Sequence, residues 1–168
     1  ERLKYAKKLT ISSESINFSH EHIPNSKAKL MGVNINLNSL GHRNKEILID
    51  KPINEYRIHI VGSSLILGWG VEAENTFSKT LEQKLNSNEN IKQKQKNIFV
   101  INGGISNTNT QDHFQLFKNQ FIQTKPDTFI LGYFINDAET INKKKDNIIF
   151  KYSYFSLFIY QQIKSFFF

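Results

Sequence analysis

Three apolar segments, separated by two segments of helical pattern, limit the possible fold more than any other feature of this chain. The apolar segments are 57–61, 97–102 and 128–134. Strands that are apolar along their whole length are typical of a parallel sheet buried on both faces. The strand–helix order therefore predicts an α/β domain with a parallel sheet and helices on both sides.

The two segments between the strands, 76–85 and 110–123, repeat apolar residues at helical spacing. Thr76 can cap the first helix, and the Lys125-Pro126 step ends the second. Residues 86–90 are predicted to form a loop. The expected apolar faces contain Phe77, Leu81 and Leu85 in the first helix and Phe114, Phe117 and Phe121 in the second.

Length and composition exclude several classes of protein. A chain of 168 residues corresponds to one domain, and the absence of cysteine excludes a disulfide framework and thiolate metal sites. The net charge is +7, but lysine and arginine are spread along the chain, and the one tight run, 143–145, lies beside Asp146. A nucleic-acid interface needs clustered positive charge, so no nucleic-acid partner is predicted.

The two ends of the chain have a different character from its centre. Residues 1–55 are polar and weakly periodic, and we interpret them as an irregular segment packed on a domain that spans 56–168. The apolar stretch 147–168 is interrupted by charged and amide residues, which favours a core-packing helix over a membrane span. A helix that binds a membrane surface or a partner is the alternative. Localisation and oligomeric state stay open.

The end of the first apolar segment carries the strongest functional pattern. It is followed by Gly62-Ser63-Ser64, and two further glycines, Gly68 and Gly70, let the backbone pass close to a neighbouring group. A serine at the carboxyl end of a buried strand lies where open α/β sheets bind ligands and carry out chemistry. Ser64 is therefore a candidate nucleophile, and a serine that only caps the turn is the alternative.

Two further motifs follow in order along the chain, each at the end of a predicted strand. The second is 98–110, an apolar strand followed by a loop of small residues, and the third is 125–138, with the pair Asn136-Asp137. Together with the 38–43 loop, these blocks resemble the SGNH (GDSL-type) esterases and lipases over roughly residues 38–160.

The resemblance implies a three-layer, flavodoxin-like α/β domain and a specific division of roles. Ser64 takes the place of the nucleophile, and the oxyanion donors are the backbone N–H of Ser64, the backbone N–H of Asn107 and the side chain of Asn136. Two positions depart from the family pattern: Ser63 stands where the family has Asp, and Asn107 stands where it has Gly. Asn tolerates a positive φ better than most residues, so the donor N–H at 107 can be retained.

The general base cannot be assigned. The family takes it from an Asp-x-x-His motif, and none of the five histidines belongs to one. His59 lies inside a predicted strand, and His113, early in a predicted helix, is expected to be solvated. We expect the chain to stop before that motif, so that the C-terminal part of the fold is missing. No cluster of metal ligands replaces the base, and no cofactor is implied.

The resemblance thus implies a serine acyl hydrolase acting on small-molecule, lipid or carbohydrate esters, incomplete and nearly inactive in this chain. The alternative is a degenerate, non-catalytic domain of the same fold that binds a ligand or a partner. A nucleotide-binding flavodoxin-like protein is less well supported, because no glycine-rich phosphate loop opens a helix. The identity of the acyl group and of the alcohol is left open.

Overall fold

The computed structural model describes residues 1–13, 19–92 and 96–138, so the apolar stretch 147–168 lies outside the described residues. Among these residues, short 3₁₀ helices span Ala73–Asn75, Phe121–Thr124 and Ile135–Ala138. The other elements, in chain order, are α1 (Arg2–Leu9), β1 (Thr10–Ser12), β2 (His20–His22), β3 (Lys27–Leu30), β4 (Val33–Asn36), β5 (Glu55–Gly62), α2 (Ser64–Leu67), α3 (Phe77–Ser87), α4 (Glu89–Lys92), β6 (Asn97–Gly104), α5 (Thr110–Asn119) and β7 (Thr128–Gly132).

The centre of the fold is a parallel sheet of three strands in the order β6-β5-β7. The predicted mixed α/β class and the parallel sheet are confirmed. Of these three strands, β5 comes first in the chain and lies between the other two, so the strand order reverses at its carboxyl end. Such a reversal is a topological switch point, where two neighbouring loops leave the sheet in opposite directions and open a crevice.

Helices cover both faces of this sheet, as predicted. On one face, Leu81 and Leu85 of α3 pack against a buried cluster that includes Ile58 and Ile60. On the other face, Leu116 of α5 packs with Val61, Ile105 and Phe121. β7 is less well covered, since the side chains of Phe129 and Leu131 are partly exposed.

Several predicted boundaries are wrong by a few residues. β6 continues to Gly104, β7 stops at Gly132, and α5 stops at Asn119 before a 3₁₀ turn. The predicted loop 86–90 is largely helical, because α3 runs to Ser87 and α4 starts at Glu89. The N-cap prediction is confirmed, since the Thr76 side chain accepts a hydrogen bond from the backbone N–H of Lys79.

The predicted apolar faces of α3 and α5 are partly wrong. Phe77 and Phe114 are 54% and 60% exposed. In α5 a capping box between Asn109 and Asp112 fixes the first turn, and Leu116 then faces the sheet. A residue two positions from Leu116 lies about 200° around the helix, so Phe114 faces outward.

Within the described part of the chain, side chains and not another strand bond the outer edge of β6. Asn86 bonds both the N–H and the C=O of Ile98, and Glu82 accepts from the N–H of Val100. Asn44 donates to the C=O of Val100 and accepts from the N–H of Asn102. These bonds satisfy backbone groups that would otherwise invite pairing with another chain.

The N-terminal segment is more regular than its sequence predicts. It contains α1 and two antiparallel pairs, β1 with β2 and β3 with β4. Its own buried cluster includes Tyr5, Leu9 and Ile35, and Leu67 of α2 completes it. The segment therefore shares a core with the element that carries Ser64. No described helix has the length and the apolar character that crossing a bilayer would require.

Candidate functional site

Ser64 is the first residue of α2, directly beyond the carboxyl end of the central strand. Its side chain is half-buried. The first hydrogen bond of this turn runs from the N–H of Leu67 to the C=O of Ser63. The earlier N–H groups of a helix have no partner within the helix, and the described residues offer the N–H of Ser64 no acceptor.

Three glycines at the strand ends allow α2 to pack directly against the carboxyl ends of the three strands. Gly62, Gly104 and Gly132 are paired in register, one at the end of each strand. A Cβ atom on Gly104 would lie 2.1 Å from the backbone N of Leu67. On Gly62 or Gly132 it would lie 2.4 Å from a side-chain carbon of Ile66. The turn that carries Ser64 therefore touches the carboxyl ends of all three strands.

The far end of α2 is held by a buried arginine. Arg43 Nη1 donates to the C=O of Leu67 and of Gly68, at 3.0 and 2.8 Å. Its Nη2 donates to the C=O of Asn34 and of Val71. A cation at the carboxyl end of a helix satisfies the last carbonyls and complements the helix dipole. In the sequence, Arg43 lies in the 38–43 loop and no pattern indicates this role.

In the loop after β6, Asn107 adopts the positive φ that asparagine tolerates better than most residues. Asn107 is exposed and has a φ of 65°, in the left-handed region. The N–H of Ile105 donates to the C=O of Gly62, which fixes the start of this loop beside β5. Asn109 caps α5 directly afterwards. The donor role of the Asn107 N–H stays a prediction.

The third motif lies beside the second. Asn136 belongs to the 3₁₀ helix that follows β7, and the Thr110 hydroxyl donates to the C=O of Asp137 at 3.0 Å. The Asp137 carboxylate accepts from the N–H of Phe134 and holds this turn. The elements that carry Ser64, Asn107 and Asn136 thus follow the same ends of adjacent strands. The convergence of the three groups on one reacting atom stays a prediction.

Four of the described histidines are buried, and the pKa values of three of them, His22, His42 and His59, are lowered mainly by burial. The His59 ring stacks on Phe121 and lies edge-on to His42, so this residue of β5 is part of the core. Burial lowers the pKa of His22 to about 4 and that of His42 to about 3. Burial also holds the pKa of His59 well below its usual value. All three rings are therefore neutral at pH 7.

His113 is buried, so the expectation that it would be solvated is wrong. Its Nε2 lies 2.9 Å from the Thr108 hydroxyl, which itself donates to the C=O of Ile105. The imidazole therefore donates to Thr108. Burial lowers the pKa of His113, and the carboxylates of Asp137 and Asp112 act in the opposite direction. The hydrogen bond between His113 and Thr108 therefore connects α5 to the loop after β6.

His20 contacts the loop that contains Asn107, although no sequence pattern links it to this loop. Its Nε2 lies 2.8 Å from the C=O of Ser106, next to Asn107. No motif marks this contact, because 86 residues separate the two partners. Among the described residues, no group of three or more His, Asp or Glu side chains is arranged to hold a metal ion.

The chain has no match among protein-family models, curated proteins or solved structures. The resemblance to the SGNH hydrolases therefore stays a hypothesis based on the three ordered motifs and their positions.

Proposed function

We propose that this domain is an SGNH-type serine acyl hydrolase fold that acts on ester bonds, with Ser64 as the nucleophile. The observation that carries the proposal is the place of Ser64 on a short turn at the switch point of a parallel sheet. The loops that contain Asn107 and Asn136 leave the two neighbouring strands at the same edge. Open α/β sheets place their reactive groups at this edge.

The proposed chemistry is acyl transfer through a covalent intermediate. Ser64 Oγ attacks the ester carbonyl carbon, and its proton passes to a base. The charge on the carbonyl oxygen is taken up by the N–H groups of Ser64 and Asn107 and by the Asn136 amide. The alcohol leaves, and water then releases the acid from the acyl-serine. Ser64 has no hydrogen-bonded histidine among the described residues, so we expect hydrolysis near background.

A soluble base can replace the missing histidine and so provides the test. The 168-residue chain is assayed on a short-chain aryl ester with increasing imidazole, and the rate without protein is subtracted at each concentration. We expect a protein-dependent rate that rises with imidazole and is lost in Ser64→Ala. Ser106→Ala is the matched control, because Ser106 is a serine on the neighbouring loop whose backbone makes the described contacts.

Equal rates for Ser64→Ala and the unchanged chain at every imidazole concentration would rule out the nucleophile. That result would favour the alternative function, a non-catalytic domain that retains the fold and binds a ligand or partner. One observation favours this alternative. In the described structure the three core histidines and His113 are buried, and no described histidine is hydrogen-bonded to Ser64 Oγ.

A further inference from the structure

The peptide unit between Ser106 and Asn107 is held in an unusual way. Its two polar groups are the C=O of Ser106 and the N–H of Asn107, which point in opposite directions because the peptide is planar and trans. Any contact that fixes the C=O therefore also fixes the direction of the N–H. The proposed function assigns this N–H as an oxyanion donor, and the inference below depends on that assignment.

His20 holds the carbonyl end of this peptide. A carbonyl oxygen can only accept, so His20 Nε2 donates to Ser106 O across 2.8 Å. The other ring nitrogen, Nδ1, lies 2.8 Å from Ser19 Oγ and in the neutral ring accepts from that hydroxyl. A hydrogen bond to the C=O polarises the peptide and makes its N–H a stronger donor.

The Tyr5 hydroxyl accepts a hydrogen bond from the backbone N–H of Ser106 and is itself part of a buried chain of hydrogen bonds. The N–H of Ser106 donates to the Tyr5 hydroxyl at 2.9 Å, and this hydroxyl lies 2.7 Å from His22 Nε2. His22 Nδ1 lies 2.8 Å from the C=O of Gly41, so Nδ1 carries the ring proton. Nε2 must then accept from Tyr5. Because a backbone N–H starts the chain and a backbone C=O ends it, only one direction of donation is possible.

The aromatic surroundings fix Tyr5 independently of its hydroxyl. Its ring is buried and lies edge-on to Trp69, with the ring centres 5.4 Å apart. It also belongs to the cluster that includes Leu67 of α2. Both backbone groups of Ser106 are thus bonded to side chains of the N-terminal segment, and that segment packs on the turn that carries Ser64.

We propose that Tyr5 and His20 are positioning residues for the Ser106–Asn107 peptide. Tyr5 anchors the N–H of Ser106, and His20 orients and polarises the peptide through its C=O, so that the Asn107 N–H faces the reacting carbonyl oxygen. The N-terminal segment is then part of the site instead of a separate surface addition. Neither residue touches the substrate. Both act through the Ser106 backbone.

The first test measures how well the hydrogen bond to Tyr5 protects the N–H of Ser106, without any assay of activity. Tyr5→Phe keeps the ring and removes the hydroxyl, and amide hydrogen exchange at Ser106 is followed by NMR. We expect exchange at Ser106 to become about tenfold faster or more, since its N–H loses its acceptor. Tyr56→Phe is the matched control, because the Tyr56 hydroxyl also makes a 2.7 Å bond, to Thr128 Oγ1 near the opposite end of the sheet.

The second test asks whether the hydrogen bond from His20 to the C=O of Ser106 affects catalysis. In the imidazole-assisted assay, His20→Leu is expected to lower kcat about tenfold with little change in KM, because a misplaced oxyanion donor weakens only the transition state. His20→Gln places an amide N–H where Nε2 stands, and we expect it to restore most of kcat. A role limited to folding would not produce this split or this rescue.

The outcomes separate the inference from the proposed function. Unchanged Ser106 exchange in Tyr5→Phe would overturn the inference even if Ser64-dependent hydrolysis is found. Unchanged kcat in His20→Leu, with hydrolysis present, would overturn it as well. Faster exchange combined with no Ser64-dependent rate in the unchanged chain would remove the proposed function and, with it, the oxyanion role of the peptide.

Discussion

At the scale of single residues, the site depends on the absence of side chains as much as on their presence. Gly104 has ordinary backbone angles, so its need for glycine comes from contact and not from φ. The backbone of α2 approaches to a distance that no Cβ atom tolerates. Glycine at this position therefore allows Ser64 to sit directly above the sheet.

Gly104→Ala is expected to lower the free energy of unfolding by about 3 kcal/mol or more, because the new methyl group would meet backbone atoms of α2 that cannot move aside. Urea denaturation measures the change. Gly32→Ala is the matched control, since nothing lies within 4 Å of its Cβ position and only its φ of +83° opposes the change. We expect it to cost about 1–2 kcal/mol. A smaller loss in the free energy of unfolding for Gly104→Ala than for Gly32→Ala would contradict the close packing of α2 on Gly104.

At the scale of elements, α2 is too short to be stable by itself. A four-residue turn cannot offset the cost of helix nucleation from its own hydrogen bonds. The strand glycines allow its Ile66 and Leu67 to pack against the sheet, and Arg43 binds the carbonyl groups at its carboxyl end. The guanidinium bonds four carbonyl groups, two of them at the end of α2 and one, that of Val71, in the loop that follows.

Arg43→Met is expected to cost about 3 kcal/mol, since it leaves buried carbonyls without the charged donor that satisfied them. Arg43→Lys should recover only part of this, because an ammonium group lacks the planar fork that reaches several carbonyls at once. Thermal and urea unfolding provide the measurement. Lys45→Met, which removes a cation placed over the Phe99 ring, serves as control and should stay within about 1 kcal/mol. Equal effects at the two positions would contradict the role given to Arg43.

At the scale of the whole molecule, the buried histidines tie stability to pH. His22, His42 and His59 are neutral in the folded protein because burial lowers the pKa of each ring. In the unfolded chain each returns to a pKa near 6.5. Below that value the unfolded chain binds protons that the folded protein does not, so stability falls as the pH falls.

We expect the free energy of unfolding to decrease by about 4 kcal/mol between pH 7.5 and pH 5.5, because each of the three unfolded rings takes up a proton over this range while the folded rings stay neutral. Above pH 7.5 these rings contribute no slope, because they are neutral in both states. Urea midpoints measured at half-unit steps of pH check the prediction. A flat profile from pH 7.5 to 5.5 would mean that the rings are accessible and titrate normally.

The sequence was sufficient for the elements whose signal is local. The apolar segments became β5, β6 and β7, and Thr76 caps α3 as its position predicts. The left-handed φ at Asn107 also agreed with the tolerance of Asn for that conformation. The faces of Phe77 and Phe114 were missed because spacing gives the period of a helix without the rotation that packing selects.

What only the tertiary structure decided concerns contacts between distant parts of the chain. The sequence by itself determined a parallel α/β sheet with Ser64 at a strand end. It carried no sign that Arg43 would hold α2, that His113 would be buried, or that Tyr5 and His20 would bond Ser106. Local patterns report hydrophobic periodicity and capping, whereas these partners are brought together only when the N-terminal segment packs against the sheet.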